Sequence, residues 1–348
     1  AMSENPPAAP AVLIASYLEP HFVDRVRAVD ARLNVLYVPE LLRPPRYAAD
    51  HVGEATTRSA AQEATWRDLL ARAEILFDFD HTHREDLPEL APKVRWIQAT
   101  SAGIGQFVKR MGYDVRMPGT IFTTASGVHA APLAEFCLMS ILNHYRGLAH
   151  LQACQRAHHW ERFATTDLQD KTVAIIGLGN IGGEVARLCK AFGMSVIAAR
   201  KRTAPVPHVD RIFTPQELHA MLPLADVVVM IAPHTPQTDN MLGAAEFAAM
   251  RYGAFFINIG RGATVDEPAL IAALHAGKLG GAALDVFAEE PLPADSPLWE
   301  MDSVLVSPHS ASTSDRENER ITDLFCDNLR RYLDGRPLRN VLDTERLY

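Results

Sequence analysis

Short apolar runs alternate with amphipathic stretches along the first part of the chain. Residues 11–16, 33–38, 74–77, 94–98 and 120–124 predict buried strands. Between them, residues 59–71 and 104–110 carry helical spacing. Strands alternating with helices imply a parallel sheet covered on both faces. The proline-containing stretch 41–58 predicts a long surface loop. Residues 129–150 form one long, largely apolar helical stretch, followed by a His/Trp-rich connector to Asp170.

A fresh alternating series then begins. Residues 172–176 and 195–199 predict strands, with a helix over 181–192 between them. Thr214-Pro215-Gln216-Glu217 is a capping-box sequence with proline at the first helical position. Residues 226–231 and 254–257 predict two further strands, and Asp266 caps a helix that Gly277 ends. Residues 281–286 and 303–306 complete the sheet, and 314–333 form a charged amphipathic helix. The expected class is α/β with two doubly wound domains.

Composition narrows the function. A chain of 348 residues suits two domains, each with its own core. A net charge of -8 argues against a nucleic-acid partner. Cys137, Cys154, Cys189 and Cys326 lie far apart without a CxxC pair, so neither disulfides nor a metal site are expected and a cytoplasmic setting fits. His81-Thr82-His83 and His158-His159 lack any HExxH frame, which points to solvated or packing histidines. No apolar run reaches the roughly 18 residues of a membrane helix, so no membrane partner is expected. Residues 1–10 are small and proline-rich, without the order of a signal peptide, and predict a disordered arm.

Gly177-Leu178-Gly179-Asn180-Ile181-Gly182 matches GxGxxG. The bare pattern is weak, and its alternative is an ordinary strand-to-helix turn. Its context strengthens it, because an apolar strand runs in and a helix runs out. Gly177 then makes the tight turn, Gly179 lets a pyrophosphate approach the backbone, and Gly182 packs helix on sheet. The helix N-terminus at Asn180 and Ile181 faces the phosphates.

Three ionisable residues follow the last strands: Arg261, Glu290 and His309. Loops beyond the carboxyl ends of parallel strands form the ligand crevice. There a guanidinium can hold a carboxylate and polarise a carbonyl, while an imidazole donates a proton beside an orienting carboxylate. Any one of the three alone reads equally as a surface residue.

The stretch 171–311 resembles the coenzyme domain of the D-isomer-specific 2-hydroxyacid dehydrogenases. Asn258-Ile259-Gly260-Arg261-Gly262, Ala283-Leu284-Asp285-Val286-Phe287, Glu289-Glu290-Pro291-Leu292 and Ser307-Pro308-His309-Ser310-Ala311 carry the likeness. The resemblance implies a Rossmann coenzyme domain over 125–313 and a discontinuous, flavodoxin-like substrate domain over 1–124 plus 314–348. It implies that Arg261 binds substrate, His309 is the acid/base, Glu290 its partner, and Asp285 the holder of the nicotinamide carboxamide. Pro233, Thr238 and Ile259 would line the cofactor cleft. Ser101-Ala102-Gly103 resembles the loop whose amides receive the substrate carboxylate, and reads alternatively as a small-residue turn. The expected reaction is reduction of a small 2-keto acid, such as glyoxylate, hydroxypyruvate or pyruvate, to the D-2-hydroxy acid, and the reverse. A dinucleotide-sensing corepressor on the same fold is the alternative. The family also implies a homodimer, with the long helix at the start of the coenzyme domain swapped across its interface; that helix's apolar stripe fits a core helix equally well. Trp160 reads either as packing or as reaching a substrate pocket.

One feature departs from the family pattern. An acidic residue about 20 positions after the glycine turn selects NAD by binding the ribose 2′-hydroxyl. Here the strand end is followed by Arg200-Lys201-Arg202. Three adjacent cations suit a 2′-phosphate, so NADP is the expected cofactor, with NAD possible if the turn tolerates both.

Overall fold

Two parallel sheets carry the chain in the computed structural model, which describes residues 10–347; the expected arm at residues 1–10 lies outside these except for Pro10. The first sheet holds β1 (Ala11–Ile14), β2 (Asn34–Leu36), β3 (Ile75–Phe77), β4 (Trp96–Gln98) and β5 (Ile121–Thr123). Its order is β2-β1-β3-β4-β5, with every pairing parallel. That is the flavodoxin-like arrangement. All residues of β3 and β4 are buried, because helices cover both faces. On one face Leu13, Leu76 and Ile97 pack with Trp66 and Leu70 of helix Ala60–Arg72. On the other, Ile14, Phe77 and Trp96 pack with Ile321, Phe325 and Leu329 of helix Glu317–Leu333. The C-terminal helix thus returns to the first sheet. The chain divides into one unit running through Val128 and resuming at Thr313, and a second unit, His129–Ser312.

The second sheet holds β6 (Thr172–Ile176), β7 (Ser195–Ala199), β8 (Arg211–Phe213), β9 (Val227–Met230), β10 (Ala254–Asn258), β11 (Leu279–Leu284) and β12 (Val304–Val306). Its order is β12-β11-β10-β9-β6-β7-β8, again all parallel. Counted from β6, this is the 3-2-1-4-5-6 order of a dinucleotide-binding sheet, extended by β12. The order reverses between the neighbours β6 and β9, so a crevice opens beyond their carboxyl ends. β9 and β10 are buried throughout, as their Val- and Phe-rich sequences require.

The structure departs from the periodicity in places. The stretch 129–150 is two helices, Ala130–Tyr145 and Leu148–Arg156. Apolar spacing runs through Gly147, but its φ of 67° breaks the helix. β8 has three residues at a sheet edge, too few for a pattern. The Glu217 carboxylate does accept the Thr214 amide at 2.8 Å. The turn it caps, Pro215–Glu217, is a 3-10 turn that precedes the α-helix Leu218–Met221. Among the described residues no helix is long and apolar enough to cross a membrane.

Candidate active site

β6 runs into a turn that opens the helix Asn180–Ala191. Gly177 sits at φ 100°, and a Cβ there would lie 2.5 Å from the Ala232 amide nitrogen in the loop after β9. A Cβ at Gly182 would lie 2.7 Å from the Gly177 carbonyl oxygen. These two glycines let backbone pack on backbone. Gly179 differs, since a Cβ there would meet no atom within 4 Å. It is also the N-cap residue, and it offers no side-chain oxygen to the first-turn amides. The result is a helix N-terminus with donors and a positive dipole end behind an open cradle, which fits a dinucleotide pyrophosphate. Asn180, Ile181 and Gly182 form the first turn.

The turn after β7 is tied by one backbone bond, from the Arg200 amide to the Phe213 carbonyl at 3.0 Å. Arg200 is half-buried, while Lys201 and Arg202 are exposed. None of the three forms an ion pair among the described residues. After β9, Thr238 Oγ1 donates to the Pro233 carbonyl at 2.7 Å and accepts the Thr235 amide at 2.8 Å, closing the turn.

The arginine turn follows β10. Asn258 Oδ1 accepts the Gly260 amide at 3.1 Å, and the Arg261 carbonyl accepts Thr264 Oγ1 at 2.6 Å. Arg261 Nη1 donates to the Gly260 carbonyl at 2.8 Å. Burial pushes the guanidinium below its ordinary pKa, while the Glu290 and Asp285 carboxylates act in the other direction. It stays charged, because arginine starts so far above neutrality. Ile259 behind it is buried, with its amide on the Met230 carbonyl at 3.2 Å. Gly262 seats this turn on the next loop, since a Cβ there would fall 1.8 Å from the Phe287 carbonyl oxygen.

Glu290 and His309 are in direct contact. Glu290 Oε1 accepts the Phe287 amide at 3.0 Å, and Oε2 accepts His309 Nδ1–H at 2.7 Å. That bond sets the tautomer and leaves Nε2 as the nitrogen that exchanges a proton. His309 is held at φ 53°, a left-handed backbone uncommon outside glycine. Asp285, 2% exposed, fastens the histidine segment to the end of β11. Its Oδ1 accepts Ser307 Oγ at 2.6 Å and the amides of Ser310 at 2.8 Å and Ala311 at 3.0 Å.

The loops after β6, β7, β9, β10, β11 and β12 all leave the same edge of one parallel sheet. Ser101, Ala102 and Gly103 lie in the other unit, just beyond β4, where the Ser101 carbonyl accepts the Ala125 amide at 3.0 Å. Trp160 is 94% exposed. Sequence reasoning passed over Asn258, Thr264 and Ser307 as supports, although all stand inside or beside the segments it singled out. It also missed Glu267, whose Oε2 accepts the Ala288 amide at 2.8 Å.

A family model described as "D-isomer specific 2-hydroxyacid dehydrogenase, NAD binding domain" matches residues 138–311. Glyoxylate/hydroxypyruvate reductase B of Citrobacter koseri is 32% identical over 79% of this chain and 86% of its own length. The chain belongs to the D-isomer specific 2-hydroxyacid dehydrogenase family. Two solved structures of such dehydrogenases are similar over nearly the whole chain. One, from Xanthobacter autotrophicus Py2 in complex with NADPH and MES, is 27% identical with a TM-score of 0.77, covering 98% of this chain and 100% of that one. The other is an NADPH-dependent glyoxylate/hydroxypyruvate reductase from Sinorhizobium meliloti in complex with NADP and sulfate. It is 25% identical with a TM-score of 0.77, covering 97% of this chain and 100% of that one. As a 2-hydroxyacid dehydrogenase, the protein is an NAD(P)-dependent oxidoreductase.

Proposed function

We propose that this dehydrogenase reduces a small 2-keto acid, of the size of glyoxylate, hydroxypyruvate or pyruvate, to the D-2-hydroxy acid, with NADPH preferred over NADH. The observation that carries the reading is the 2.7 Å Glu290–His309 pair, set beside the Arg261 turn at the edge that also presents the Gly179 helix end. When bound, the nicotinamide supplies the hydride. Arg261 holds the substrate carboxylate and polarises the carbonyl. His309 Nε2 delivers the proton to the carbonyl oxygen, and Glu290 steadies the imidazolium from the other side. In the reverse direction His309 takes the hydroxyl proton. Asp285 would hold the nicotinamide carboxamide, and Ile259, Pro233 and Thr238 would line the cofactor cleft.

The cofactor preference rests on Arg200, Lys201 and Arg202. An acidic side chain at that strand end would repel a 2′-phosphate, whereas three unpaired cations attract it. The Sinorhizobium meliloti relative is NADPH-dependent by name. Initial rates on a keto-acid panel with NADPH and NADH test both halves of the reading. Activity on none of the acids would overturn the substrate class, and equal efficiency with both dinucleotides would overturn the preference. Arg200→Asp should weaken NADPH roughly 10- to 150-fold, the equivalent of about 1.5–3 kcal/mol for one charge-assisted contact.

The same reading places two copies together through the arm that starts with Ala130–Tyr145. Met139, Leu148, Leu151 and Phe163 are 37–49% exposed along it, an apolar surface a partner copy would cover. A monomer by light scattering at micromolar concentration would overturn this. Free Cys137, Cys154, Cys189 and Cys326 fit a reducing cytoplasm.

A further inference from the structure

Away from the catalytic loops, helix Leu148–Arg156 and the segment after it bring three metal-ligating side chains to one place, with a fourth, His159, beside one of them. His150 and Cys154 stand four apart on one helix face, with Nε2 and Sγ 3.5 Å from each other. Glu161 Oε2 lies 3.6 Å from His150 Nε2. All three ligand atoms fall within 4.8 Å of one another. A tetrahedral ion with bonds of about 2.0–2.3 Å has ligand-to-ligand edges of about 3.3–3.8 Å. Two of the three edges match that already, and the third needs only a small side-chain rotation. His159 Nε2 is also 3.6 Å from Glu161 Oε2, within reach of a fourth corner.

The backbone explains the convergence. The helix ends in a tight reversal, with His158 at φ 50°, the His158 amide on the Gln155 carbonyl at 3.2 Å and the His159 amide on the Cys154 carbonyl at 2.9 Å. The returning chain is held against the helix by Phe163, whose ring packs edge-on to His150 at 4.4 Å between centroids. Ligands therefore meet from both sides of the reversal on a scaffold that already stands.

We propose that His150, Cys154, His159 and Glu161 bind one divalent cation of the zinc class, departing from the expectation that this chain holds no metal. One thiolate, two imidazoles and one carboxylate are a zinc-type donor set, too soft and too few in oxygens for magnesium or calcium. On binding, the Cys154 S–H bond breaks, its proton leaves to solvent and a sulfur–metal bond forms, with no change of oxidation state. The ion ties the helix to the returning chain and fixes Trp160, which lies between two of the ligands in sequence. None of the four residues belongs to the catalytic set, so the ion is a staple of the arm.

Tag-free chain dialysed against zinc, then against metal-free buffer, should retain one zinc per chain. Cobalt loading should give a thiolate-to-metal charge-transfer band. Cys154→Ser and His150→Ala should each remove both signals while keto-acid reduction and reduced-dinucleotide binding stay at the level of the unmodified protein. Glu161→Gln should weaken retention by more than the about 10–100-fold typical of losing a ligand's outer partner. Zinc should also slow proteolysis within residues 157–163. Zinc retention equal in the unmodified chain and Cys154→Ser, or a cobalt spectrum without the thiolate band, would overturn the proposal.

Discussion

Beyond β3 in the five-stranded sheet, Asp78 Oδ2 lies 3.2 Å from His81 Nε2; beyond β11 and β12 in the seven-stranded sheet, Glu290 Oε2 lies 2.7 Å from His309 Nδ1. The chemistry is the same and the surroundings are opposite. The Asp78 and His81 side chains are 2% and 19% exposed, against 36% and 43% for Glu290 and His309. Burial alone would push His81 down, but the Asp78 charge and hydrogen bond overcome it and hold the imidazole above its ordinary value. Burial alone would likewise raise Asp78, and the charges of His81 and His51 with the Phe79 amide hold it below. Both His81 ring nitrogens face charged partners, since Arg84 Nη2 stands 3.4 Å from Nδ1. His309 instead commits one nitrogen to its carboxylate. A buried pair with both sides engaged can only hold the fold, whereas a pair with one nitrogen turned outward can pass a proton.

That contrast can be broken by exchanging roles. The largest effect should come from His309→Ala, with turnover down roughly 10²–10⁴-fold while reduced dinucleotide still binds. Steady-state rates and a fluorescence titration check it, and near-normal turnover would remove His309 from the reaction. Asp78→Asn should do the reverse. It should lower unfolding free energy by about 1–3 kcal/mol in urea titrations and leave turnover per folded molecule unchanged. Glu290→Gln keeps an acceptor for Nδ1 but removes the charge beside the ring. Turnover should fall about tenfold, with unfolding midpoints unmoved. The smallest effect belongs to His81→Gln. A raised folded pKa means that the stability His81 adds is complete below its unfolded value of about 6.5 and is lost as pH climbs through the folded value. The variant should therefore lose stability at acidic to neutral pH and show a flatter profile above it; an identical slope in both proteins would mean the pair contributes nothing.

Much of this is legible in the sequence alone. Val-, Ile- and Phe-rich runs mark the strands because a sheet covered on both faces admits little else, and Gly177 to Gly182 mark the cofactor turn because close backbone approaches exclude side chains. Arg261, Glu290 and His309 were visible as residues beyond strand ends. Their supports were not, since Ser307 on Asp285 and the Phe287 amide on Glu290 are contacts that only the folded loops create. Short edges hid as well: Arg211, Ile212 and Phe213 offer too little pattern to mark β8. The apolar run through Gly147 misled because periodicity records which face is greasy, and a single left-handed residue leaves that face intact while stopping the helix. His150 and Cys154 have helical spacing, but Glu161 joins them only through the reversal at His158.

The seat of Gly262 under the Phe287 carbonyl has a bearing on how such an enzyme could be re-engineered. No other residue fits there, so the turn bearing Arg261 and the loop bearing Glu290 behave as one welded part. Libraries that diversify residues 260–264 or 287–290 would mostly sample misfits, and an insertion in either would displace the other. The 200–202 turn has one backbone tether, with Arg200 half-buried and Lys201 and Arg202 open to water, so a designer can rewrite its charge, and with it the choice of dinucleotide, without touching the catalytic part.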